Sequence, residues 1–138
     1  MEEFFTKDKA NAGVEMPLFT PTGEKSEHSF RILGVDSDAY AKAETAMRRA
    51  LPSIEAESKL LKGEEAKLAF VSEAQTKWRN KILAAVIADW TFDKECTEAN
   101  KVEFLTNAPQ IAKAVDTFIC DRRVFFSFGQ ANLKNSQE

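Results

Sequence analysis

The stretch GEEAKLAFVSEAQTKWRNKILAAVIADWTF, Gly63 to Phe92, decides the architecture. Apolar residues recur in it at Leu68, Val71, Trp78, Ile82, Ala85 and Val86. Steps of three, four and seven keep one face of an α-helix apolar. Lys67, Glu73, Lys77, Arg79, Asn80 and Lys81 fall mainly on the other face. Neither Pro nor a further Gly interrupts the run. The pattern predicts one central helix from Glu64 to Phe92, about 43 Å long at 1.5 Å per residue. Both tryptophans, Trp78 and Trp90, sit on it, and each offers ~150–250 Å² of buriable surface. Taken alone, this reads as the spine of a small soluble α-rich domain without a catalytic site.

The residues on either side of the spine extend the reading. Upstream, Asp36-Ser37-Asp38 is a helix start: Asp36 or Ser37 can accept the first free N–H groups, and Asp38 suits the positive end of the dipole. The helix it opens runs from Ser37 to Leu61, with a stripe at Tyr40, Ala43, Met47, Ala50, Leu51 and Ile54, continued by Ser58 and Leu61. Pro52 predicts a kink or two shorter helices near Ala50, because proline removes a backbone bond and clashes one turn back. Lys62-Gly63 is the stop. Before this helix, VEMPLF (14–19) is extended, with Pro17 suited to an edge strand. PTGEKSE supplies turn chemistry. His28 to Leu33 places Phe30 and Ile32 on one side of a second strand, which Gly34 ends. Residues 1–12 read as a loosely held, flexible N-terminal arm.

Downstream, Thr97 is the N-cap of a short helix from Glu98 to Thr106 anchored by Val102, Phe104 and Leu105. Pro109 opens the last helix, expected to reach Phe126 with Ile111, Val115, Phe118 and Phe125 on one face and Ile119 and Phe126 widening it. GQANLKNSQE, 129–138, reads as a disordered tail. The expected fold is mainly α: an N-terminal β-hairpin followed by a bundle of four or five helices, forming a single domain over residues 13–128.

Composition narrows the function. The 138 residues suit one domain, and a net charge of −3 with 30% charged residues argues against nucleic acid as a main partner. The basic pairs Arg48-Arg49 and Arg122-Arg123 read as solvated helix faces. Cys96 and Cys120 with one histidine cannot complete a zinc set, and read as reduced thiols of a cytoplasmic protein. The start, Met1-Glu-Glu-Phe-Phe, has no basic n-region or apolar run. The longest apolar run, Ile82 to Ala88, is far short of a membrane span. The five glycines, at 13, 23, 34, 63 and 129, form no phosphate loop. His28 has no cysteine near it in sequence, and Glu55, Glu57, Glu64 and Glu65 read as surface or helix-end acids. The expectation is a non-enzyme with no metal or cofactor.

One stretch carries a resemblance. EMPLFTPTGEKSEHSFRILGVDSDAYAKAETAMRR is similar to the opening of the tail assembly chaperones of long-tailed bacteriophages, a strand–turn–strand leading into a helix start of the Gly-x-Asp-Ser type. Gly34, Asp36, Ser37, Asp38, Ala39 and Tyr40 carry it here. The second half, LAAVIADWTF…ANKVEFLTNAPQIAKAVDTFICDRRVFF, resembles the same family. There a helix ends in a Trp, then come an Asn, a Pro-led helix and a terminal pair of phenylalanines. Trp90, Asn100, Phe104, Leu105, Pro109, Phe125 and Phe126 match. The likeness covers about residues 14–128. It departs after Trp90, where Thr91 to Cys96 replaces the glycine and polar loop of many relatives.

The resemblance implies a non-catalytic protein of the host cell cytoplasm. It would bind the tape measure protein, keep it soluble while tail tube subunits assemble, and be absent from the mature virion. It also implies that a frameshifted longer form contacts the tail tube protein, the chain to Glu138 being the short form. Weak self-association is compatible with it; nucleic acid and membrane are not expected partners. The alternative is a small structural head–tail connector component.

The candidate partner-binding residues are Phe118, Arg122, Arg123, Phe125, Phe126 and Phe128. Phe125 and Phe126 are adjacent, so about 100° separates them around a helix and both cannot join one stripe. Either one packs inward while the other covers the rim, or the pair meets a partner, flanked by arginines that can bind carboxylates.

Overall fold

The computed structural model describes residues 1–126; Phe128 and the tail 129–138 lie outside the described residues. The chain is mainly α-helical with an N-terminal β-hairpin. The order is a 3-10 turn Glu2–Phe4, α1 Lys7–Ala12, β1 Val14–Phe19, β2 Lys25–Ile32, α2 Asp38–Lys59, α3 Glu64–Val86, β3 Ile87–Trp90, α4 Glu98–Asn107 and α5 Pro109–Cys120.

The hairpin follows its sequence. β1 and β2 pair antiparallel with Met16 opposite Phe30, and β1 lies at the sheet edge, where Pro17 is tolerated. Met16, Leu18, Phe30 and Ile32 are buried on one face. The central helix is the main correction. It does not reach Phe92; it ends at Val86, and Ile87–Trp90 become a third strand, antiparallel to β2. Phe30 lies opposite Trp90 and Ile32 opposite Ile87, with a register shift between them. Ile87 and Trp90 have opposite parity in a regular strand, so one extra residue is needed for both to face inward. The irregularity supplies it, and both side chains are buried.

The core lies between this sheet and the helical elements α3, α4 and α5. It gathers Phe30, Ile32, Leu83, Val86, Ile87, Leu105, Val115 and Ile119. The buried residues of α3 are Asn80, Ile82, Leu83, Ala84 and Val86, all in its last two turns. Asn80, expected on the polar face, is 4% exposed and its Nδ2 donates to Thr106 Oγ1 at 3.4 Å. Here the helix is enclosed nearly all round, so a one-sided period no longer describes it. The opposite holds at its start: Leu68, expected in the apolar stripe, is 69% exposed.

Helix α2 remains one helix through Pro52 and does not divide. Its start is capped as expected, with Ser37 Oγ accepting from Tyr40 N–H at 3.2 Å. Asn11 of α1 adds a second cap, its Oδ1 accepting from Asp38 N–H at 2.8 Å. Residues 1–12 therefore hold a short helix; its Ala10 is buried, and the Ala10 carbonyl accepts from Gly34 N–H at 3.0 Å. Thr97 caps α4 by accepting from Asn100 N–H at 3.2 Å. Helix α5 starts at Pro109 but stops at Cys120 rather than Phe126. Asp121 adopts an extended conformation, φ −95° and ψ 94°, and its carboxylate accepts from Arg123 N–H at 3.1 Å, so the chain turns there.

Candidate functional site

The residues singled out at the C-terminal end come together, but largely within the fold. Phe125 is 5% exposed and belongs to the core, where its ring meets Phe118 edge to face at 6.1 Å between centroids. Phe118 and Phe126 are half-buried and pack against the core's margin. Arg122 donates to Asp36, Nε to Oδ2 at 2.6 Å and Nη2 to Oδ1 at 3.0 Å. Arg123 donates to Asp121 at 3.0 and 3.1 Å. The guanidinium beside Asp36 holds that carboxyl below its ordinary range, as Arg123 does for Asp121. Both arginines thus already have carboxylate partners inside the chain. The sixth residue, Phe128, lies outside the described residues.

A second surface was visible in the sequence only as two stripes. Helices α2 and α3 form an antiparallel pair joined at Leu60–Gly63. No residue of α2 is buried, and it packs chiefly on α3, with a smaller contact to α1. The facing stripes of Met47, Leu51 and Ile54 on α2 and Val71, Ala74 and Trp78 on α3 have no third layer over them, and a groove of about 350 Å³ follows their seam on one side. On the opposite side lie clefts of about 430 and 370 Å³. Trp78 lines all three. Leu51, Leu60, Leu61 and Leu68 are exposed along the same pair. The sequence stripes pointed to this pairing; the missing third layer depends on where the sheet and α4 sit, which a helical period does not encode.

His28 and Trp90 are held in structural contacts. His28 Nδ1 lies 3.0 Å from Thr91 Oγ1, and its ring packs at a tilt against Phe92, 4.6 Å between centroids. Trp90 Nε1 donates to the Lys94 carbonyl at 2.7 Å inside a cluster of Phe30, Phe92 and Phe104. Cys96 is half-buried, Cys120 is exposed, and neither forms a disulfide. Burial pushes the Cys96 thiol up. Among the described residues no group of three or more His, Cys, Asp or Glu side chains is placed to hold a metal ion. No helix among them is long and apolar enough to cross a membrane.

Comparison with protein-family models, with curated proteins and with solved structures found no match.

Proposed function

We propose that this protein is a non-catalytic tail assembly chaperone of a long-tailed phage or prophage, which binds the tape measure protein and keeps it soluble while tail tube subunits assemble. The observation that carries the reading is the α2–α3 pair, in which half-buried apolar stripes stay open on both sides. A long helical client needs its apolar stripe covered reversibly, and a helix laid in an apolar groove does this with no active site. The sequence resemblance around Gly34–Tyr40 names the client class. One of its features reads differently in three dimensions: Trp90 closes strand β3, not a helix.

The test is co-expression with a tape measure protein of a long-tailed phage, followed by pull-down and measurement of the client's soluble fraction. The chaperone reading expects a complex and a rise in soluble client. It also expects loss of both when Leu51→Glu and Leu68→Glu are combined, with circular dichroism unchanged. A client equally soluble with and without the protein overturns the reading. So does finding the protein as a stoichiometric part of purified particles, the result expected of a connector component.

A further inference from the structure

The two clefts on one side of the α2–α3 pair differ in charge along their length. At the end near the core, the cleft between α2, α3 and α4 has a small-residue floor, including Ala39, Ala43, Ala46 and Ala85. Its charged rim is Lys42, Lys81 and Lys101 against Glu98 alone. At the distal end, past Trp78, the rim is Glu57, Glu73 and Lys77. A chain whose net charge is −3 therefore carries a local surplus of two positive charges over one end of an apolar trough.

We infer that this trough takes an amphipathic client helix whose apolar stripe is flanked by acidic residues where it crosses Lys42, Lys81 and Lys101. The inference adds to the chaperone reading a second client contact, on the side of the pair opposite the groove that Leu51 lines, and rests on that reading only for the identity of the client. Alanines let a helix backbone approach closely, and Trp78 offers a broad, rigid apolar wall. Lys81 Nζ sits over the Trp78 ring, 4.5 Å from its centroid, so this ammonium is held against the wall itself and marks where an incoming carboxylate would meet it. Lys101 Nζ donates to the Ile87 carbonyl at 2.9 Å, which fixes one charge in place. Carboxylates on the incoming helix complete these ammonium groups; lysines at the same positions meet like charge and are rejected.

The probe is a pair of synthetic helices of about five turns with the same Leu/Ala face, one flanked by Glu and one by Lys. Binding to the intact protein is followed by tryptophan fluorescence and calorimetry at low and high salt. The Glu-flanked helix is expected to bind about tenfold tighter than the Lys-flanked one at low salt, the preference shrinking as salt rises. A Lys42→Glu, Lys81→Glu variant, checked by circular dichroism, should lose or reverse that preference. Lys101 is left intact because of its bond to Ile87. Equal binding of the two helices, no binding of either, or an unchanged preference in the variant overturns the inference. None of these outcomes depends on the tape measure protein. Conversely, a tape measure protein that stays insoluble on co-expression sinks the chaperone reading while leaving the helix preference standing.

Discussion

Arg122 and Asp36 are 86 residues apart and meet in a two-pronged ion pair, at 2.6 and 3.0 Å. The pair ties the segment after α5 to the loop that starts α2. Asp36 is held below its usual value near 3.8, chiefly by the Arg122 hydrogen bond. A carboxyl lowered by folding contributes stability that is present above its unfolded value and is lost as pH falls through the folded one. Asp36→Asn should therefore lower the denaturant midpoint at neutral pH, and the gap from the parent should close as pH falls below about 3.8. A gap that is constant from neutral to acid pH would show that the ion pair does not contribute.

The two tryptophans should separate in stability. Trp90 is buried among Phe30, Phe92 and Phe104, so Trp90→Ala should cost about 3–5 kcal/mol. Trp78 is half-buried beside open clefts, and Trp78→Ala should cost roughly 1–2 kcal/mol. Phe4 is 77% exposed, so Phe4→Ala should stay within about 0.5 kcal/mol. Urea titrations rank the three. A Trp78 loss as large as that of Trp90 would mean that the α2–α3 seam is closed in solution.

That ranking reflects what was legible in the sequence. Short-range signals held: Ser37 and Thr97 as caps, Pro109 at the first turn of α5, and the paired burial of Phe30 and Ile32. Ile87–Trp90 was misread because ILAAVIADW is apolar at nearly every position, and such a run suits a buried helix or a buried strand alike. Pairing with β2, more than fifty residues upstream, decides between them, and that is a long-range contact. The end of α5 was missed for a different reason. Asp121 competes for backbone donors through its own carboxylate, a local signal overridden in the reading by the apolar period running on to Phe125.

Glycine substitutions should probe the joint between arm and sheet. Gly13 has φ +78°, and a Cβ there would lie 2.8 Å from the Ile32 carbonyl oxygen. Gly23, in the hairpin turn, has φ +89° with open space around it. Both alanine variants carry a positive-φ penalty of about 1–3 kcal/mol, but Gly13, with ψ 172°, lies in a region essentially reserved for glycine, and only Gly13→Ala adds a backbone clash. Thermal melts should show the larger loss at Gly13. Equal losses would place Gly13 away from β2.

The thiols should react in a fixed order. Cys120 is exposed, whereas Cys96 is half-buried and its thiol is pushed up by burial. At pH 8 less Cys96 is thiolate, and the thiolate is the reactive form. A chromogenic disulfide reagent should label Cys120 first, as mass spectrometry of partly reacted protein would reveal. The Cys96→Ser, Cys120→Ser variant should keep its fold. Loss of bound zinc or of folding in it would assign the thiols a structural role.

The last prediction chooses between the two surfaces. Phe125 is buried and Arg122 and Arg123 have carboxylate partners in the chain, so capturing a client at the C-terminal end requires breaking contacts the fold already uses. The α2–α3 pair presents Leu51 and Leu68 without such a cost. Glutamate at Leu68, 69% exposed, should leave stability nearly unchanged, and at Leu51, 42% exposed in the seam, it should cost about 1 kcal/mol. A client helix pressed on the same leucines would instead desolvate the new carboxylates, a penalty of several kcal/mol. Leu51→Glu with Leu68→Glu is therefore expected to abolish client retention while lowering the melting temperature by only a few degrees. Phe126→Ser, at the half-buried margin, should lower the melting temperature while the folded fraction still retains client. If Phe126→Ser releases the client with no loss of stability and the leucine variant keeps it, the binding surface is the C-terminal aromatic end.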